Sequence, residues 1–156
     1  MLTEQEKLEI DEATGHLFDR QSGSIEALKV VQGHRRWVSD EALRDLALYL
    51  DMTPAELDSV ATYYNLIFRK PVGEHVILAC DSISCWLAGG ERVMDYLQRK
   101  LGITPGETTK DNKFTLLPTS CLGHCEQGPA MMLDDLVIGN LTEEKIDKAI
   151  GRAVGS

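Results

Sequence analysis

From Thr3 to about Ile67 the apolar positions recur every three and four residues, as in Leu43, Leu46 and Leu50, then Leu57, Val60, Ala61 and Tyr64. That spacing lines one face of a helix, and it predicts helices near residues 4–15, 23–34, 40–50 and 54–66. The start signals fall where helix N-termini need acceptors for unpaired amides. Thr3-Glu4-Gln5-Glu6 and Thr53-Pro54-Ala55-Glu56 are capping boxes, the second with proline at the first helical position. Ser39, followed by Asp40 and Glu41, opens another helix, its acids lying against the positive dipole end. The first part of the chain is therefore expected to be a small helical bundle.

The period changes at Phe68-Arg69-Lys70-Pro71-Val72-Gly73, where proline and glycine interrupt the helical pattern, so a domain boundary is expected near residue 72. This gives an N-terminal bundle over residues 1–72 and a second domain over 73–156. His75-Val76-Ile77-Leu78-Ala79 is nearly continuous in apolar content, as a strand covered on both faces should be. After Gly89-Gly90 comes a helix with Val93, Leu97 and Leu101 on one face, Gly102 as its cap and Pro105 beyond. Phe114-Thr115-Leu116-Leu117-Pro118 is a second strand. Ala130 to Leu133 and Val137 to Gly139, with Asp134-Asp135 between them, suggest an antiparallel hairpin. Thr142 caps a last helix to about Ala153, with Leu141 and Ile146 spaced as a hydrophobic staple. Strand, helix, strand, hairpin, helix is the order of a thioredoxin-like half, so the fold class expected is α+β: a helical bundle, then a thioredoxin-like α/β domain. There is no internal repeat and no low-complexity segment.

A strand, a helix and a strand in succession make a right-handed crossover with the two strands parallel. Both strands then end at one edge of the sheet, where open α/β sheets place their ligands. Each is followed by cysteines. Cys80 ends the first strand and Cys85 lies five positions on; Cys121 and Cys125 follow the second. These four are all the cysteines of the chain, and the crossover lets four thiolates meet at one place.

Composition narrows what they do. The length of 156 residues and 43% hydrophobic content suit one ordinary or two small domains. No apolar run is long enough for a membrane span, and the acidic stretch Met1 to Glu12 lacks the basic start of a signal peptide, so a cytosolic chain is expected. Reducing surroundings disfavour disulfides and make paired cysteines metal ligands or redox groups. The net charge of -9 divides as 8 basic and 13 acidic residues up to Gly73 and 8 and 12 after it, so neither half is a basic arm for nucleic acid. The short turn Asp51-Met52-Thr53 could join a helix-turn-helix, yet the second helix offers Glu56 and Asp58 where a reading helix needs bases or amides.

Structural zinc usually takes cysteine pairs with two residues between them. Here the pairs are wider, and a 2Fe-2S cluster, with two thiolates to each iron, divides them naturally. Spacing alone leaves zinc open beside it. A redox-active dithiol fits neither pair, because it needs two intervening residues at the start of a helix. Ser82, Ser84 and Gly123 can donate hydrogen bonds to sulfur, which raises a cluster's potential, whereas Asp81 and Glu126 add negative charge that lowers it. A low potential is expected. His124, inside the second cysteine loop, is expected beside the site and not as a ligand, and Trp86 is expected to shield it or pack on a partner. Tyr63, Tyr64 and Phe68 either grip a partner or seal the domain junction.

The segments Asp58-Ser59-Val60-Ala61-Thr62-Tyr63-Tyr64, Cys80-Asp81-Ser82-Ile83-Ser84-Cys85 and Leu116-Leu117-Pro118-Thr119-Ser120-Cys121-Leu122-Gly123-His124-Cys125 resemble the small 2Fe-2S subunits of NADH:quinone oxidoreductase, the bacterial respiratory complex I, within the thioredoxin-like ferredoxin family. The likeness runs from roughly Ser24 to the C-terminus and includes Gly128-Pro129-Ala130-Met131-Met132. The resemblance implies one 2Fe-2S cluster on Cys80, Cys85, Cys121 and Cys125, exchanging single electrons with FMN. It also implies that FMN and NADH sit on a larger flavoprotein partner, in the peripheral arm on the cytoplasmic side of the inner membrane. Similar subunits serve NAD-linked hydrogenases and formate dehydrogenases, and a free-standing shuttle ferredoxin or a zinc-stabilised interaction module are the readings outside that class. No dinucleotide fingerprint or phosphate loop is present, since Gly89-Gly90 lacks the remaining spacing. No nucleophile and base constellation stands out either, so the chain is expected to carry electrons within an enzyme and to hold no complete active site.

Overall fold

The computed structural model describes residues 1–155. They divide into two compact units, Met1–Pro71 and the chain from Val72 onward.

The first unit holds four helices, α1 (Glu4–Thr14), α2 (Ser24–Arg35), α3 (Asp40–Tyr49) and α4 (Pro54–Tyr63). Both capping boxes form, with the Thr3 and Thr53 hydroxyls accepting from the Glu6 and Glu56 amides, and Ser39 caps α3 through the Ala42 amide. Ile10, Leu28, Val31, Leu46, Leu50 and Leu57 are fully buried where the helices meet. Each such aliphatic side chain stabilises the unit by about 1.5–3 kcal/mol relative to exposure. One charged pair lies among them. Arg35 donates from Nε (2.6 Å) and Nη2 (2.8 Å) to the two oxygens of Glu6, joining α1 to α2.

Helix α4 stops at Tyr63, three residues before the end expected from the sequence, and Tyr64 is already extended. The reason is tertiary. The Gln32 side chain donates to the Leu66 carbonyl (2.8 Å) and accepts from the Phe68 amide (2.6 Å), so the chain leaves the helix to meet it. Arg69 then fastens the segment through Asp58 (2.8 Å), Asp40 (2.7 Å) and the Val38 carbonyl.

In the second unit the order is β1 (His75–Cys80), α5 (Ile83–Leu87), α6 (Gly90–Leu101), β2 (Phe114–Thr119), β3 (Met131–Leu133), β4 (Leu136–Ile138) and α7 (Glu143–Val154). The sheet order is β2-β1-β3-β4. β1 and β2 are parallel, paired from His75 with Phe114 to Cys80 with Thr119, while β3 runs antiparallel to β1 and β4 to β3. Ile77, Leu97, Leu116, Met131 and Ile146 form the centre of the core under α6 and α7. α6 ends on left-handed Gly102 (φ 67°), and the Thr142 hydroxyl caps α7. Thr115, although buried, is satisfied: its hydroxyl accepts from the Gly73 amide (2.6 Å) and meets Thr108 Oγ1 (2.8 Å). The short helix α5, between the first two cysteines and α6, was not expected from the sequence.

Candidate metal centre

Parallel pairing puts the carboxyl ends of β1 and β2 side by side, and strands so paired lie about 4.8 Å apart. Cys80 is the last residue of β1, opposite Thr119, and Cys121 comes two residues after Thr119. The backbone fastens this edge, since the Asp81 amide donates to the Thr119 carbonyl (3.0 Å) and the Cys80 amide to the Ala130 carbonyl (3.1 Å). Cys85 rides on α5, and both Cys80 and Cys85 are buried, packed with Ala130 and Leu122. Cys121 and Cys125 are exposed.

All four thiols are free, and they stand two and two. Cys121 Sγ lies 3.7 Å from Cys125 Sγ, and Cys80 and Cys85 share a hydrogen bond. A tetrahedral ion with metal to sulfur distances of about 2.3 Å holds neighbouring sulfurs about 3.8 Å apart, so the second pair already has the separation of two ligands of one metal. Contacts cross between the pairs as well. The Leu122 amide hydrogen-bonds to Cys80 and the Ser84 side chain to Cys125, which interleaves the two loops. Among the described residues no three His, Cys, Asp or Glu side chains converge on one point, as a single ion would require. Two soft thiolates for each of two irons is the donor set that a 2Fe-2S cluster takes, and the four cysteines present fit it.

The three residues expected to donate to sulfur all do so or stand in contact. Ser82 Oγ is 3.6 Å from Cys80 Sγ, Ser84 reaches Cys125, and the Gly123 amide donates to Cys121 Sγ at 3.3 Å. Ser82 occupies the N-cap of α5, yet its hydroxyl makes no capping bond. These contacts separate the thiols electrostatically. Burial pushes Cys85 up to about 11, helped by the neighbouring Cys80. Burial acts on Cys80 too, but hydrogen bonds from the Ser82 amide, Cys85, the Ser82 hydroxyl and the Leu122 amide outweigh it and hold that thiol below its ordinary value. Cys125 is raised, first by its hydrogen bond with Cys121 and then by that sulfur's charge.

His124 faces Glu126 (Nδ1 to Oε1, 3.7 Å) and packs under Gly139. Trp86 is half exposed and lines, with Cys80, Asp81, Gly90, Glu91, Met94 and Asp95, a cavity of about 200 Å³ beside the first pair. Tyr63 and Tyr64 meet edge to face at 5.2 Å on the first unit, with Tyr63 the more exposed.

Two glycines that the sequence marked only as a helix start and a strand end, Gly90 and Gly139, shape the site. A Cβ on Gly90 would lie 2.7 Å from the Cys85 carbonyl oxygen, so α6 can start against Cys85 only with glycine there. A Cβ on Gly139 would lie 2.6 Å from Gln127 Cβ and 2.7 Å from His124 Cδ2, so the chain just beyond β4 closes directly on the second cysteine loop. Glycine is the one signal of such close approach in a sequence, and it does not say what approaches.

The family model of the thioredoxin-like [2Fe-2S] ferredoxins matches residues 10–153. The chain belongs to that family. This ferredoxin is 44% identical over 151 residues to the E subunit of the NADH-quinone oxidoreductase of Escherichia coli (strain K12), covering 97% of this chain and 91% of that protein. It is 42% identical over 150 residues to the protein of the same name from Pseudomonas aeruginosa, covering 96% and 90%. Among solved structures, an NAD+-reducing [NiFe]-hydrogenase in its H2-reduced state superposes with a TM-score of 0.71 at 25% identity over 86% of this ferredoxin. The match spans 22% of the hydrogenase chain, so there the same fold is one part of a much longer polypeptide.

Proposed function

We propose that this chain is the electron-transfer subunit of an NADH-quinone oxidoreductase, with Cys80 and Cys85 holding one iron and Cys121 and Cys125 the other iron of a single 2Fe-2S cluster. The observation that carries the assignment is the convergence of two thiol pairs, tied across by the Leu122 amide and Ser84, at the shared carboxyl edge of β1 and β2. Bound there, a 2Fe-2S cluster supplies the uptake and release of one electron at a time. The chain's own residues do the rest. Cys80 and Cys85 are the buried ligands and Cys121 and Cys125 the exposed ones, and the exposed pair is assigned the side toward the partner. The Gly123 amide and Ser84 stabilise negative charge on their sulfurs. Asp81 and Glu126, both exposed near the site, place negative charge beside the thiols and would lower the potential of a cluster held there.

The relatives are named as subunits of NADH-quinone oxidoreductases, and this chain is likewise a component of an oxidoreductase complex. The partner proposed here is the flavoprotein that carries FMN and NADH, on the cytoplasmic side of the inner membrane. No helix among the described residues is long and apolar enough to cross a membrane. The helical unit, residues 1–72 as read from the sequence, is assigned to docking, with exposed Tyr63 and Leu66 as its contact residues. The similarity to an NAD+-reducing hydrogenase supports a second reading, in which the same type of chain passes electrons between NAD and a hydrogenase.

The test is reduction by NADH. The chain, purified anaerobically with its co-purifying subunits, is mixed with NADH and the reduced cluster is followed by electron paramagnetic resonance. The expected result is a 2Fe-2S signal in the complex and none when the chain is separated from its flavin partner. Reduction of the isolated chain by NADH, or no such signal in either sample, contradicts the proposal.

A further inference from the structure

Helix α5 has its large apolar side chains on the outside. Ile83, Trp86 and Leu87 follow the spacing of three and four that puts side chains on one helix face, and they are 67%, 53% and 73% exposed. Cys85, between them in sequence, is buried. Single exposed apolar residues need no explanation, but three on one face of a single turn form a patch of the kind that a partner covers.

Trp86 also lines the cavity of about 200 Å³ beside the first thiol pair, and the charge there has one sign. Asp81, Glu91 and Asp95 line it with Cys80, Gly90 and Met94, and among these described residues there is no lysine, arginine or histidine. Two arginines stand close in sequence but are placed otherwise. Arg92 lines a different cavity, with Tyr96 and Ile146, and Arg99 donates to the Asp95 carbonyl (3.4 Å).

An indole face beside three carboxylates selects its occupant. The cavity is smaller than the roughly 300–1,000 Å³ of small-molecule sites, so it takes a side chain. The carboxylates, on a chain of net charge -9, repel the phosphates of a lipid surface or a nucleic acid. A second copy presenting the same face would set carboxylate against carboxylate. An arginine suits both kinds of wall, because its flat guanidinium stacks on an indole and pairs bidentately with a carboxylate.

We propose that α5 and this cavity form a docking site for a partner subunit whose surface sets an arginine between Trp86 and the carboxylates of Asp81, Glu91 and Asp95, with apolar side chains over Ile83 and Leu87. The proposal rests on the reading of the chain as a subunit of a larger assembly. Buried tryptophan and arginine pairs carry much of the energy of such interfaces.

The test places p-benzoylphenylalanine at Leu87 in the cluster-containing chain, assembled with its co-purifying subunits, and identifies the photo-cross-linked chymotryptic peptide by mass spectrometry. The expected product is a peptide of a co-purifying subunit that contains arginine. Cross-links confined to a second copy of this chain, to a peptide without arginine, or to no polypeptide overturn the proposal. In a second arm, Glu91→Gln with Asp95→Asn weakens association with the cross-linked subunit at least tenfold while the visible spectrum is unchanged, and the dissociation constant then depends less steeply on salt. An unchanged dissociation constant overturns the proposal, as does binding to phosphatidylglycerol vesicles that Leu87→Asp abolishes. Iron and sulfide per chain and reduction by NADH, measured on the same preparations, report on the proposed function, so intact electron transfer with a cross-link of the wrong kind sinks this inference alone.

Discussion

Replacing Gly90 by alanine and, separately, Gly151 by alanine puts the same methyl group into two helices of the same unit with opposite expected signs. Both positions are helical, so alanine removes the backbone freedom that glycine has when unfolded, a gain of at most about 1 kcal/mol in each case. Nothing lies within 4 Å of a Cβ at Gly151, on an open face of α7, so that gain is realised in full. At Gly90 the added carbon falls 2.7 Å from the Cys85 carbonyl oxygen and 2.9 Å from its carbonyl carbon. Both obstacles are backbone, so no side chain can swing aside, and α6 must retreat by several tenths of an ångström from the residue that carries a proposed ligand. Overpacking of this kind costs about 1–3 kcal/mol, which outweighs the helix gain. The expected outcome is a Gly151→Ala variant stabilised by about 0.5–1 kcal/mol with full cluster content. Gly90→Ala should be destabilised by about 1–2 kcal/mol and depleted in cluster. Urea unfolding followed by far-ultraviolet circular dichroism, with iron per chain measured on each sample, reads both. A Gly90→Ala protein as stable as Gly151→Ala and fully loaded would refute the close approach.

Other outcomes follow from named contacts. Glu6 is almost fully buried, and the bidentate Arg35 guanidinium, with the Thr3 amide and hydroxyl, holds its carboxyl at about 2 instead of 4.5. A group depressed in the folded state contributes stability that is complete above its unfolded value. That contribution is lost as the pH falls from about 4.5 through about 2. Glu6→Gln should therefore cost about 3 kcal/mol at pH 7, with the difference from the parent shrinking toward pH 2, as followed by Trp37 emission in a Trp86→Phe background. Cys121→Ala should lose the cluster or hold it unstably, read from the visible spectrum. His124→Ala should keep it with at most a shifted potential, and loss of iron in that variant would make His124 a ligand.

Much of this was readable in the chain because the signals were local. Capping boxes at Thr3 and Thr53 fixed helix starts by hydrogen bonds within four residues. The crossover rule placed β1 beside β2 and so brought the two cysteine pairs to one edge. What was missed depends on residues far apart in sequence. Helix α4 ends early because Gln32, thirty-four positions before Leu66, captures the backbone there. The short helix α5 carries too few residues to show a period. Backbone donors to sulfur, such as the Leu122 amide, leave no trace in side-chain identity. Gly90 and Gly139 were visible as glycines, but the carbonyl or ring pressing on each is known only once the elements pack.

The most direct test of the central claim is iron and acid-labile sulfide in the native chain isolated without oxygen, alongside four variants each lacking one of Cys80, Cys85, Cys121 and Cys125. Two irons and two sulfides per chain in the native protein, with each variant losing most of both, is the result expected. A native chain without sulfide, or any one of the four variants retaining the full complement, would contradict the assignment of those thiols to a 2Fe-2S cluster.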